Sequence, residues 1–217
     1  PVEFVAGVYD AIFGAGEVAT QWHAWRTVVG GEMLKPIAHH PNQALLSALK
    51  RLLTVEGNSN NPIHAAIAAW STAAVARVFW TVAALGLAGL AWAFRRNPRD
   101  LSDRRCAGEF AVCLAATTLV SPIAWVAHFV TLVAPAVLVW TALREMPAGS
   151  AGRRWRLGVW WAAFACVTFS GSGFVGWTWA RRLESVSVIT IGALLLVGLA
   201  VSVLPTLGPQ SAEPAAG

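Results

Sequence analysis

Residues 110–143 contain no Asp, Glu, Lys or Arg, and this run constrains the fold more than any other feature of the chain. As one helix rising about 1.5 Å per residue it would be about 50 Å long, whereas the hydrocarbon of a bilayer is about 30 Å thick. Ser121-Pro122 lies inside it. Proline lacks a backbone donor and clashes with the preceding turn, so the helix is expected to break there. The predicted arrangement is two spans, 106–120 and 128–143, joined by a turn at 121–127. The first span is short, which sets the turn below the membrane surface, where non-helical backbone is tolerated only against protein or a wet cavity.

The rest of the chain has the same character. Hydrophobic residues make up 56% and charged residues 12%, about half the charged share of a soluble domain. A basic pI near 9.9 raises the question of nucleic acid. The cations, however, sit in short clusters between apolar runs, the distribution of cytoplasmic loops, so no nucleic-acid partner is predicted. Cys106, Cys113 and Cys166 have no CxxC spacing, which predicts free thiols and neither a disulfide framework nor a zinc site. No secretory leader pattern is visible after Pro1. The expectation is that a further N-terminal part precedes this sequence, with a trimmed chain as the plainer reading.

Five spans are predicted in all: 73–94, 106–120, 128–143, 157–176 and 185–204. Gly171-Ser172-Gly173 and the pair Trp177 and Trp179 mark a boundary with water between the last two. Arg95, Arg96, Arg99, Arg104 and Arg105 fall in one loop, and Arg144, Arg153, Arg154 and Arg156 in another on the same side. That side is expected to be cytoplasmic, with Arg181 and Arg182 as exceptions on the far side. Residues 1–72, the 121–127 turn and the loop near Trp177 then lie together outside. Residues 205–217 read as a disordered cytoplasmic tail. The predicted fold class is all-α: a polytopic transmembrane bundle with outer amphipathic helices, multi-pass in the plasma membrane.

In the outer segment, Glu3, Asp10 and Glu17 form a polar stripe opposite Phe4, Val8 and Ile12, the pattern of an interfacial or cavity-lining helix. Leu45, Leu49, Leu52 and Leu53 with Ser47, Lys50 and Arg51 predict a second, with Asn42 as its cap. Lys50 and Arg51 are suited to a lipid phosphate as point charge and fork, or to interfacial anchoring. His128, at the top of a span beside the proline break, is an intramembrane ionisable group and so a functional candidate. The plainer alternative is a histidine hydrogen-bonded to a neighbouring carbonyl. His39, His40 and His64 have no carboxylate or cysteine at ligand spacing, so no metal is predicted. Glu109 is positioned to pair with Arg105 four residues earlier.

Two segments carry a resemblance. Asn42-Gln43-Ala44-Leu45, followed by Lys50-Arg51-Leu52, resembles the "NQSL…R" segment of glycosyltransferase family 87. Ser121-Pro122-Ile123-Ala124-Trp125, with His128-Phe129-Val130 and then Pro135, resembles that family's "SPiaWxxHyvxLlxP" segment. Ala44 stands where the family usually has Ser, and Ala127 where a polar residue is frequent. The resemblance covers about residues 20–145. It implies a GT-C-class bundle and a membrane hexosyltransferase, commonly a mannosyltransferase, using a polyprenyl-phosphate sugar and a lipid or glycan acceptor at the outer face. It implies no cofactor, and it puts the catalytic aspartate upstream of this sequence, making the chain the C-terminal part of a longer enzyme. On this reading His128 and Arg51, with Lys50, hold the donor phosphate, His128 stabilising the leaving group. Asn42 and Gln43 orient the loop or contact sugar, and Ser121 and Trp125 complete the substrate site. A transporter or flippase fragment and a non-catalytic membrane scaffold are the competing readings.

Overall fold

The computed structural model describes residues 20–24, 27, 31, 35, 38–95 and 104–207. The chain forms two compact units, Pro1–Lys35 and Pro36–Gly217. In the first, residues 20–24 are helical and the Thr27 hydroxyl donates to the His23 carbonyl (2.9 Å). The predicted stripe of Glu3, Asp10 and Glu17 lies outside the described residues.

The second unit is helical. Its elements are α1 (Leu45–Leu53), α2 (Thr72–Ala93), α3 (Arg104–Val120), α4 (Val133–Glu145), α5 (Ala151–Thr168), α6 (Ser172–Ser185) and α7 (Val188–Val203), with 3-10 turns at Glu56–Asn58, Val126–Leu132 and Leu204–Leu207. By length and composition, three helical stretches suffice to cross a membrane: Thr72–Ala93, Val126–Glu145 and Val188–Leu207. They leave large apolar side chains exposed, among them Leu85, Leu87, Val130 and Val133. Such surfaces are stable in lipid and costly in water. The chain is a membrane protein.

Several predicted boundaries are corrected. The break at Ser121-Pro122 is present, but the chain resumes helical geometry at Val126 in a 3-10 turn that feeds α4, not at residue 128. The segment 106–120 lies in a helix that begins with Arg104 and Arg105 and also carries Glu109, and it is not among the stretches long and apolar enough to span. The segment 157–176 is not one straight helix. Its helix starts at Ala151, stops at Thr168 and turns by 84° into α6. Inside α6, Gly176 has φ 76° and ψ 162°, a conformation open to glycine and to few other residues. The predicted tail loses its first residues to the 3-10 turn Leu204–Leu207, whose Leu207 is buried.

α7 is central. Ile189, Ala193, Leu196, Ala200 and Val203 recur at helical spacing and are buried against α3, α4 and α5. Gly192 permits close approach to α5. A Cβ there would lie 2.7 Å from Cys166 Cβ and 3.0 Å from the Ala163 carbonyl, the small-residue contact by which membrane helices pack.

The bundle has two distinct poles. At one, Arg104 pairs with Glu145 (2.9 Å), Arg105 with Glu109 (2.9 Å) and with the Ala93 carbonyl (2.8 Å), and Arg153 donates to the Leu143 carbonyl (2.9 Å). These contacts gather the end of α2, the start of α3, the end of α4 and the start of α5. The expected pairing of Arg105 with Glu109 is among them. The opposite pole holds the end of α3, the 121–125 turn, α6, the start of α7 and α1.

α1 is buried on most of its circumference, Leu45, Leu46 and Ala48 together with its polar residues. Ser47, Lys50, Arg51 and Thr54 are buried, while Leu49, Leu52 and Leu53 are half-exposed. Its backbone continues into the approach to α2 through Ile67 N–H to Leu52 O and Trp70 N–H to Leu53 O (both 2.8 Å). Asn42 does not cap it. The N-cap is Ala44, which makes no side-chain cap.

Candidate functional site

The two segments that carry the family resemblance meet. Asn42 and Trp125 form an isolated antiparallel bridge, and Gln43 N–H donates to the Ala124 carbonyl (2.7 Å). The Asn42 side chain reinforces it. Its Oδ1 accepts from the N–H groups of Ala44 (3.1 Å) and Ala124 (3.0 Å), and its Nδ2 donates to the Pro122 carbonyl (3.1 Å). One asparagine thus satisfies backbone groups on both sides of a junction 80 residues apart in sequence, at a level where unpaired amides are costly. The Ser121 hydroxyl donates to the Ile123 carbonyl (2.8 Å) and shapes the same turn.

Trp125 and His128 face outward from this junction. Trp125 is 60% exposed and His128 is exposed. The Trp125 N–H donates to His128 Nδ1 (3.0 Å), and the His128 N–H returns to the Trp125 carbonyl (2.8 Å). Because Nδ1 accepts, the neutral ring carries its proton on Nε2. The imidazole is therefore held by its own backbone and directs an N–H donor away from it. The plainer reading is corrected in its partner: the ring accepts from a backbone N–H and does not donate to a carbonyl, and the other nitrogen is exposed.

Arg51 is placed differently from the expectation of a phosphate ligand at the surface. It is completely buried. Nε and Nη2 donate to the Ser187 hydroxyl (3.1 and 2.9 Å), and Nη1 donates to the carbonyls of Asn42 (2.7 Å) and His39 (3.1 Å). Burial lowers its pKa from 12.5 to about 10, opposed by the Glu184 carboxylate, so it stays protonated at neutral pH. Its charge is distributed over backbone dipoles and one hydroxyl. It fixes the 39–42 segment, and through it the junction. Lys50 is buried on the same face of α1.

Gln43 is fully buried and ties the junction to the α6–α7 corner. Nε2 donates to the carbonyls of His40 (2.6 Å) and Glu184 (2.9 Å), and Thr190 Oγ1 donates to the Gln43 carbonyl (2.7 Å). His40 lies beside it. Arginine only donates, so Arg181 Nε–H to His40 Nε2 (3.2 Å) puts the ring proton on Nδ1, which donates to Glu184 Oε2 (2.7 Å). Burial holds His40 below its ordinary pKa, the hydrogen bond and charge of Glu184 act against this, and His39 and Arg181 act with it.

His40, Arg181, Glu184, Ser187 and Thr190 were not singled out as site residues in the sequence. One signal was available. Glu184 is the only acid between Glu145 and Glu213, and a lone carboxylate between apolar helices needs a partner. Ser187 offers no comparable sign, since only the fold brings it to Arg51, 136 residues away. A scan of protein-family models, a search of curated proteins and a search of solved structures each returned no match.

Proposed function

We propose that this chain is part of a membrane glycosyltransferase that moves a hexose, mannose in the first instance, from a polyprenyl-phosphate sugar to an acceptor hydroxyl at the pole opposite the arginine-rich loops. The single observation that carries the reading is the bridge between Asn42-Gln43 and Ala124-Trp125. It joins the two segments that resemble glycosyltransferase family 87 and leaves Trp125 and His128 facing out beside them. On this reading the arginine-rich pole is cytoplasmic, α3 and α5 complete five passages, and the chain resides in the plasma membrane.

In the transfer, the acceptor oxygen bonds to the anomeric carbon as the bond between that carbon and the phosphate oxygen breaks, and the polyprenyl phosphate departs with the electron pair. The His128 Nε2–H donates to that phosphate and stabilises the charge that develops on it. The Trp125 indole supplies a flat apolar face for the sugar or the first isoprene unit. An apolar cavity of about 100 Å³ between α4, α5 and α7, lined by Phe129, Leu132, Trp160, Phe164 and Leu196 among others, adjoins the same 3-10 turn and suits a prenyl chain. Arg51, Asn42 and Gln43 act as positioning residues that hold the junction. The acceptor proton passes to a base that the resemblance assigns to a preceding part of the enzyme.

The test is transfer from polyprenyl-phosphate-mannose in membranes containing the full-length enzyme that the resemblance implies. His128→Ala is expected to lower turnover by about 10²–10³-fold, the usual effect of removing one donor to a developing oxyanion. Unchanged transfer by His128→Ala would remove the assignment of that residue. No transfer from any lipid-linked sugar by the unmodified enzyme would remove the function.

A further inference from the structure

α6 explains the two arginines that stand on the wrong side for the positive-inside rule. α5 has 18 residues, about 27 Å of helix, close to the thickness of the bilayer hydrocarbon. It starts at the arginine-rich pole, so its end at Thr168 lies near the opposite boundary. The chain then turns by 84°, which directs α6 along the membrane plane rather than through it.

The sides of α6 are unequal. Ala180 is buried, and Arg181 and Glu184 fasten the helix to His40. At 100° per residue, Trp177 and Trp179 fall on the two margins of the remaining arc, with Thr178, Arg181 and Arg182 between them. The two indoles are 69% and 58% exposed. Each is covered on one face by a guanidinium: Arg181 over Trp177 at 5.9 Å and Arg182 over Trp179 at 4.9 Å. Tryptophan concentrates at the headgroup level, where an apolar ring and a polar N–H are both served. An arginine fork matches a phosphate.

We propose that α6 lies in the headgroup layer of the membrane and binds the phosphate of an anionic phospholipid between Trp177 and Trp179, with Arg182 as the direct ligand and Arg181 as its charged neighbour. Arg182 is therefore a lipid ligand, and neither arginine is a topogenic loop charge. This surface is independent of whether the chain transfers sugar.

Two measurements on the full chain test it. With Cys106, Cys113 and Cys166 replaced by Ala, a nitroxide on Thr178→Cys is placed in phosphatidylcholine vesicles containing one-quarter phosphatidylglycerol. Its collision rates with oxygen and with a water-soluble nickel chelate then report depth, and headgroup depth is expected. A fully aqueous label, or one in the hydrocarbon, overturns the placement. Native mass spectrometry of detergent-extracted protein then counts retained phosphatidylglycerol against phosphatidylcholine. Arg182→Gln is expected to lower phosphatidylglycerol retention about fivefold, the weight of one cation near an anionic surface, and Arg182→Lys to keep most of it. Unchanged retention in Arg182→Gln, or equal loss of both lipids, overturns the ligand assignment. Lys in place of Gln keeps the test open if the neutral variant fails to fold.

Discussion

Replacing Arg51 by methionine keeps most of the side-chain volume and removes all of its donors. Two part-buried carbonyls, His39 O and Asn42 O, lose a charged partner at 3.1 and 2.7 Å, and His39 O keeps a second donor, the Asn42 N–H (3.0 Å). Ser187 Oγ loses both of its guanidinium contacts, although a hydroxyl rotates to find another partner. Losing the partner of the Asn42 carbonyl costs about 1–3 kcal/mol, and His39 O, which keeps the Asn42 N–H, adds less. Part of this is returned, because the variant no longer buries a guanidinium. Arg51→Lys keeps the charge but offers one nitrogen where three now reach acceptors on two sides, so it is expected to recover only part of the loss. The assay is SDS titration in mixed micelles followed by helical ellipticity, with amide exchange read at residues 39–43. The expected order of stability is wild type, then Arg51→Lys, then Arg51→Met, with faster exchange at 39–43 in both variants. A methionine variant within about 1 kcal/mol of wild type, with those amides still protected, would refute the argument that Arg51 holds the junction.

Ser187 and His40 give two further tests. Ser187 has φ 63°, the only positive φ outside glycine among the described residues, and holding a non-glycine residue there costs about 1–2 kcal/mol. Ser187→Gly is therefore expected to be less destabilising in the same titration than Ser187→Ala, which loses the acceptor for Arg51 and keeps the strain; the reverse order would show that backbone strain is not significant there. His40 has a pKa below its ordinary 6.5 when folded, so the unfolded chain takes up that proton first. Its contribution to stability is complete above pH 6.5 and declines as the pH falls through the window between 6.5 and the folded value. Stability measured from pH 7.5 to 5 should fall more steeply in wild type than in His40→Gln, and parallel curves would remove the His40–Glu184–Arg181 arrangement as the cause.

The features legible in the sequence were those that depend on near neighbours. Pro122 breaks an overlong apolar run, Arg105 reaches Glu109 one turn away, and Leu45 to Leu53 carry a helical repeat. The direction of that repeat was not legible. In water an amphipathic helix turns its leucines inward. Here Leu45 and Leu46 are buried, but so is the polar side, and Arg51 lies inside because acceptors exist there. Those acceptors come from His39, Asn42 and Ser187, and no local rule connects Ser187 to Arg51. The bend after Thr168 was half visible. Gly171-Ser172-Gly173 marked an end, but the apolar count carried the predicted span on to residue 176, because hydropathy registers composition and not direction. In the candidate site, His128 and Trp125 were legible by position, whereas the burial of Arg51 required the fold.

The buried polar face of α1 also sets an order of assembly. Ribosomes deliver Arg51 to the membrane well before Ser187, Thr190 and the Glu184 carbonyl, the partners that make the polar face of α1 and Gln43 stable away from water. Until α6 and α7 have been synthesised, residues 38–61 cannot dock without stranding a guanidinium and several amides, a cost of several kcal/mol. The early segment must therefore wait, hydrated or shielded by the insertion machinery, and the junction of Asn42 with Trp125 is locked only when α7 arrives. The region that bears the candidate chemistry is among the last parts of the chain to mature.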